Sequence, residues 1–260
     1  MIGEHCHACG RSIEGSRWFS PPSNAAAAAL AAPVRIGHRR AGIDTHPLCR
    51  PCCHELVTMR EPVKIGIVHR DGAVSLQSGS RLSAAAELSL PRDVELRVWA
   101  AFETDDRLLA VIHALKFSRY QRLAPWFARA LTLGLPAAAV GNEPGARVVA
   151  VPTDAASLRR RGFNQAERVA RAFAANSGAN FIPGALAKTR ATVPQSSLDG
   201  ADRARNVTGA FAASVRTRVG GSVVLVDDLV TTGATAAACA TALYASGARE
   251  VRVACIGYRP

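Results

Sequence analysis

Lysine is nearly absent from this chain. Lys64, Lys116 and Lys188 are the whole supply, so almost all of the 32 basic residues are arginine. Aromatic residues make up only 5%, too few for the dense stacking platforms with which many proteins hold single-stranded nucleic acid. No G-x-x-x-x-G-K-[ST] string occurs, which excludes a P-loop nucleotide site. No stretch of about 18 strongly apolar, uncharged residues is present, so a membrane span is not expected. The opening Met-Ile-Gly-Glu-His-Cys has neither a basic n-region nor an apolar h-region, so no secretory signal is expected and the cytoplasm is the expected location.

What is present is a chain of 260 residues with 48% hydrophobic content, enough for a substantial core. The net charge is +12 and the sequence pI is near 10.3. That balance favours polyanionic partners: phosphorylated substrates, nucleic acid or an acidic protein.

The most informative stretch is Val223 to Thr235, VVLVDDLVTTGAT. Val223, Val224, Leu225 and Val226 have the character of a parallel strand buried on both faces. Asp227 and Asp228 stand where that strand should emerge at its carboxyl end. Thr231, Thr232, Gly233, Ala234 and Thr235 follow, small and hydroxylated, and lead into a helix-prone run that stops at Gly247. Loop amides and a helix N-terminus hold a phosphate, and Gly233 permits close backbone approach. The two carboxylates can grip vicinal ribose hydroxyls, or Mg²⁺ through water. A strand ending in acids followed by such a loop makes a pocket for a phosphorylated sugar.

The seven cysteines form two populations. Cys239 and Cys255 read as small buried residues. The others cluster near the start as Cys6-His7-Ala8-Cys9 and Cys49-Arg50-Pro51-Cys52-Cys53. Two C-x-x-C pairs are the pattern of a structural tetrathiolate zinc site, with Cys6, Cys9, Cys49 and Cys52 as ligands. The long insertion between the pairs costs closure entropy only logarithmically. Cys53, His5, His7, His46 and His54 are alternatives to a given ligand, and a redox dithiol is the competing reading of the pairs.

Along the chain, residues 1–60 form the zinc-binding module with its inserted loop, 61–95 a connector and 96–260 the sugar-phosphate domain. Glycine and serine dilute the connector, although Lys64 to His69 can pair as a short strand. From Val98 the pattern sharpens into a strand, then a helix capped by Asp105 or Asp106 whose apolar positions Leu108, Leu109, Val111, Ile112 and Leu115 follow helical spacing. A second helix spans about Arg122 to Leu133, and Arg147 to Val151 is the next buried strand. After Pro152-Thr153-Asp154 comes the run Arg159-Arg160-Arg161-Gly162-Phe163-Asn164-Gln165, placed at the opening of a helix with at least one arginine toward diphosphate or nucleic acid. A polar, aperiodic segment holding Gln195, Arg203, Arg205 and Asn206 suggests a lid or diphosphate loop.

Taken together, the paired C-x-x-C, Ala114-Leu115-Lys116-Phe117, Val151-Pro152 with R-G-F-N-Q-A-E, Gln195 to Leu198 with Arg203 and Asn206, and the Val223–Thr235 string resemble the ComF family. These are phosphoribosyltransferase-like proteins associated with DNA uptake in naturally transformable bacteria. The last string is similar to the phosphoribosyl-diphosphate (PRPP) motif of type I phosphoribosyltransferases. The resemblance implies an α/β fold, a parallel sheet flanked by helices with ligand at the strands' carboxyl ends. It implies binding of PRPP or a related sugar phosphate with Mg²⁺ by Asp227, Asp228, the Thr231–Thr235 loop, Lys116 and Arg161. It also implies work with single-stranded DNA, where Arg159, Arg160 and Arg205 are the expected contacts, beside a DNA-uptake helicase. The alternative is a conventional nucleobase phosphoribosyltransferase of purine or pyrimidine salvage.

Overall fold

The computed structural model describes Cys6, Met59 and residues 61–77, 79, 81–82, 92–116, 123–135, 145–190, 207–214, 217 and 219–259. The first strands are β1 (Val63–Val68), β2 (Val74–Leu76), β3 (Arg81–Leu82) and β4 (Val94–Glu103). Two helices follow, α1 (Asp106–Leu115) and α2 (Leu123–Gly134). Next come β5 (Arg147–Ala150), α3 (Ala155–Arg161), α4 (Gln165–Ser177) and β6 (Asn180–Phe181). The chain continues through β7 (Leu186–Lys188), β8 (Phe211–Ala213), β9 (Gly221–Val230), α5 (Ala234–Ala245) and β10 (Ala248–Tyr258).

Eight strands form one sheet in the order β3-β2-β1-β4-β10-β9-β5-β6, and β7 pairs with β8 in a small separate sheet. From β4 to β6 every neighbour is parallel. From β3 to β4 every neighbour is antiparallel. Sequence reasoning makes residues 61–95 a connector; among the described ones, β1, β2 and β3 instead extend the main sheet past β4. Gly72 resolves the difference. Its positive φ of 84° turns β1 into β2, with the Gly72 amide bonding His69 O and the His69 amide bonding Ala73 O. A glycine that weakens the strand pattern is the hairpin's turn.

The continuous apolar run of β9 is explained by two cores. Val223 and Leu225 join the core beneath α5, whereas Val224 and Val226 join the core beneath α1, α2 and α4. Fully burying each such side chain contributes roughly 1.5–3 kcal/mol. Helix starts follow local chemistry: Asp105 caps α1 by accepting from the Leu108 amide at 2.8 Å, and Asp154 caps α3 by accepting from the Ser157 amide at 2.7 Å. Among the described residues no helix is long and apolar enough to cross a membrane.

Candidate functional site

The sheet opens at one point. β5 pairs with β9 only as far as Ala150 opposite Val226, and the Val151 amide makes the last bond, to Val226 O at 2.9 Å. Beyond it the chain turns away through Pro152 and Thr153. On its other side β9 stays paired with β10 through Val230, so the acid pair lies within the strand on that side and faces a crevice on this one. A crevice at the carboxyl ends of parallel strands is the usual ligand position in open α/β sheets.

The crevice holds about 170 Å³. Asp227 and Asp228 come from β9, Val151, Pro152 and Thr153 from the chain beyond β5, and Asn164, Gln165 and Ala166 from the start of α4. Lys116 and Arg161 complete it. Four residues expected at the site from sequence, spread over more than a hundred positions, are thus brought together. Lys116 arrives as the C-cap of α1 and Arg161 as the last residue of α3.

Each carboxylate is oriented by a neighbouring amide. The Asp228 amide donates to Asp227 Oδ1, and the Leu229 amide donates to Asp228 Oδ1, both at 2.8 Å. Asp227 keeps some accessible surface at the crevice, yet burial pushes its carboxyl well above the ordinary range. The Asp228 charge adds to the rise, and the Lys116 charge opposes it. A cation or ribose hydroxyls placed on this pair would relieve the strain of two close negative charges. Among the described residues no three His, Cys, Asp or Glu groups converge as a metal cage. Two carboxylates plus water and ligand oxygens nevertheless suit Mg²⁺, which rarely takes an all-protein shell.

The loop from Thr231 to Thr235 runs directly from β9 into α5, with Thr232 Oγ1 3.5 Å from the Ala234 amide. Gly233 is the N-cap at φ 80°. A Cβ there would also meet Ile65 of β1 at 2.8 Å. The position therefore requires glycine on two counts, and the antiparallel edge braces the loop.

The arginine run behaves differently from expectation. Arg159, Arg160 and Arg161 end the short α3, and Gly162, at φ 77°, caps it. Basic residues are favoured at a helix C-terminus, where they meet the negative end of the dipole. Arg159 and Arg160 are exposed, while Arg161 reaches Gln165 Oε1 at 3.1 Å. Phe163 is the aromatic nearest these arginines in sequence and so the natural candidate for base stacking. It is 5% exposed, and the Arg168 guanidinium lies 5.8 Å from its ring centre; it packs into the protein.

Sequence reasoning places Asn164 and Gln165 in a motif but not in the site. Asn164 ties α4 to the end of β5, donating to Val151 O at 2.9 Å and accepting from the Ala166 amide at 3.1 Å. Gln165 is 5% exposed yet lines the crevice. The signal for both is an N-cap residue followed by an amide at the entry to a helix.

Cys239 and Cys255 are fully buried, and burial pushes both thiols up, as suits inert core residues. Cys6 is buried with Phe102, Leu108 and Leu115. Cys9, Cys49 and Cys52, together with Gln195, Arg203, Arg205 and Asn206, lie outside the described residues.

No family model matches the chain. Curated relatives do. This chain is similar to DNA utilization proteins. It is 36% identical over 151 residues to DNA utilization protein YhgH of Escherichia coli K12, an alignment spanning 57% of this chain and 66% of that protein. The DNA utilization protein YhgH of Salmonella typhimurium is 34% identical over the same shares. The chain thus spans just under two thirds of the length of these relatives.

Proposed function

We propose that the chain is a ComF-like, type I phosphoribosyltransferase-like protein that binds PRPP or a related sugar phosphate with Mg²⁺ and serves DNA uptake or single-stranded DNA processing. The observation that carries the ligand reading is the acid pair at the point where β5 leaves β9, followed at once by the Gly233 loop and α5. Asp227 and Asp228 hold ribose hydroxyls or the metal. The Thr231–Thr235 loop takes the 5-phosphate on its amides and hydroxyls. Lys116 and Arg161, across the crevice, take the diphosphate charge. Mg²⁺, when bound, screens the diphosphate and makes it a better leaving group.

The DNA role is supported by the name of the relatives and by the +12 charge. Thiolates from Cys6, Cys9, Cys49 and Cys52 close a structural zinc site in this reading, and metal analysis of the purified protein should find one zinc per chain; a metal-free protein removes that part alone.

Calorimetry with PRPP and Mg²⁺ tests the crevice. Asp227→Asn combined with Asp228→Asn keeps size and removes charge, and affinity should fall about tenfold or more, because hydrogen bonds to charged groups contribute roughly 1.5–3 kcal/mol each. Unchanged affinity would remove the crevice from the proposal. Diphosphate release at about 1 s⁻¹ or faster with a free purine or pyrimidine would replace the proposal with a salvage transferase.

A further inference from the structure

The hairpin edge carries a hydrogen-bonded chain that the crevice does not use. His69 follows β1, Ser75 lies in β2 and Asp93 precedes β4. Val68 opposes both Val74 and Val94, and all three point toward one face. The alternating positions, His69, Ser75 and Asp93, therefore meet on the other face. Ser75 Oγ is 2.8 Å from His69 Nε2, and His69 Nδ1 is 2.7 Å from Asp93 Oδ2. The second oxygen, Asp93 Oδ1, accepts from the Arg70 amide at 3.0 Å.

Proton positions follow from the partners. The bond from His69, and after it the Arg70 amide, hold the Asp93 carboxyl below its usual range, so it is ionised and only accepts. In the neutral imidazole Nδ1 then carries the hydrogen and donates to Asp93. Nε2 is left as an acceptor for the Ser75 hydroxyl. Nucleophile, base and orienting acid stand in the order that activates a serine, an order defined by geometry rather than by fold.

We propose that Ser75 is a nucleophile, with His69 as its general base and Asp93 as a positioning residue, and that it cleaves small carboxylic esters by acyl transfer. The His69 side chain is 26% exposed, and Ser75 is half-buried beside the half-buried Ile67. That open setting suits a short acyl group. The nearby charges of Lys64 and Arg97 are held by Glu95 at 2.9 and 2.6 Å. In the reaction Ser75 Oγ bonds to the carbonyl carbon while its proton passes to His69 Nε2. The bond to the alcohol oxygen then breaks, and the alcohol departs with that proton. Water attacks the acyl-serine, giving a proton to Nε2, and Ser75 Oγ recovers it as the carboxylic acid leaves.

The test uses the whole protein with p-nitrophenyl acetate and a fluorophosphonate probe, the labelled residue being located by peptide mass spectrometry. The expected label is on Ser75 and is lost in Ser75→Ala. His69→Gln should slow labelling by about 100-fold or more. Asp93→Asn should lower the maximal rate with little change in the half-saturating probe concentration. Absence of label at Ser75, or labelling of equal rate in His69→Gln, overturns the proposal. If His69→Gln does not fold, the native protein decides: Ser75 must take the probe much faster than it does in the urea-unfolded chain, and equal rates in the two states are equally fatal.

Discussion

Two carboxylates at opposite sides of the sheet feel opposite forces. Asp227 stands in the crevice of the parallel half, where burial and the neighbouring Asp228 push its carboxyl well up. Asp93 stands just before β4, beside the antiparallel hairpin, where the bond from His69 and then the Arg70 amide pull its carboxyl down. The side chain and the sheet are the same, and the sign is opposite. Parallel strands covered on both faces can place a charge only at their ends and in a desolvated cleft. An antiparallel edge with one open face supplies hydrogen-bond partners and water instead. The strained acid is the one suited to gripping a cation or a sugar, and the satisfied acid is the one suited to orienting a neighbour.

The largest expected effect is on the crevice acid. Because the folded pKa of Asp227 lies above its unfolded value, its ionisation works against folding at neutral pH. The stability it confers is full below the ordinary carboxylate value and is lost as pH rises from there through the raised folded value. Asp227→Asn should therefore unfold at a higher urea concentration than the native protein at pH 7, with the difference gone below the ordinary carboxylate value. A variant that is less stable at pH 7 would mean the pair is structural, and the contrast with Asp93 would fail.

An intermediate effect is expected outside both sites. Arg159 and Arg160 are exposed in the last turn of α3, and in the proposed function they meet DNA backbone. Single-stranded DNA affinity, followed by fluorescence anisotropy, should fall steeply with salt. Arg159→Glu with Arg160→Glu should reduce the log–log salt slope by about 1.4, near 0.7 for each phosphate that is no longer neutralised. No binding at low ionic strength would leave only the small-molecule reading.

The smallest effect belongs to the edge acid. The depressed pKa of Asp93 contributes stability above the ordinary carboxylate value and loses it as pH falls through that value toward the folded one. Asp93→Asn should thus cause a slight fall in urea midpoint at pH 7 and none near pH 2. A large fall would show that the edge depends on this chain of bonds for its folding.

How much is legible in the sequence varies by residue. The strand, acid pair and loop of Val223–Thr235 are readable because local apolar character and a glycine need no distant partner to announce themselves. Asp105 is readable as a cap for the same reason. The arginine run is misplaced by a helix: the Asp154 cap starts α3 before the arginines, and Gly162 ends it after them. Asn164 and Gln165 are visible as a motif, but their place in the crevice depends on where α4 begins relative to β5.

By itself the sequence determined the α/β alternation, the doubly buried β9, the position of Asp227 and Asp228 next to a small hydroxylated loop, and the basic excess, since each follows from neighbouring residues or from composition. Tertiary structure alone decided the rest. It opened the sheet after Val226, carried Lys116 and Arg161 to the acids, set Ile65 against Gly233, and joined Ser75 to His69 and Asp93. Those contacts form between segments far apart in the chain, and only strand pairing and helix packing determine which distant residues meet.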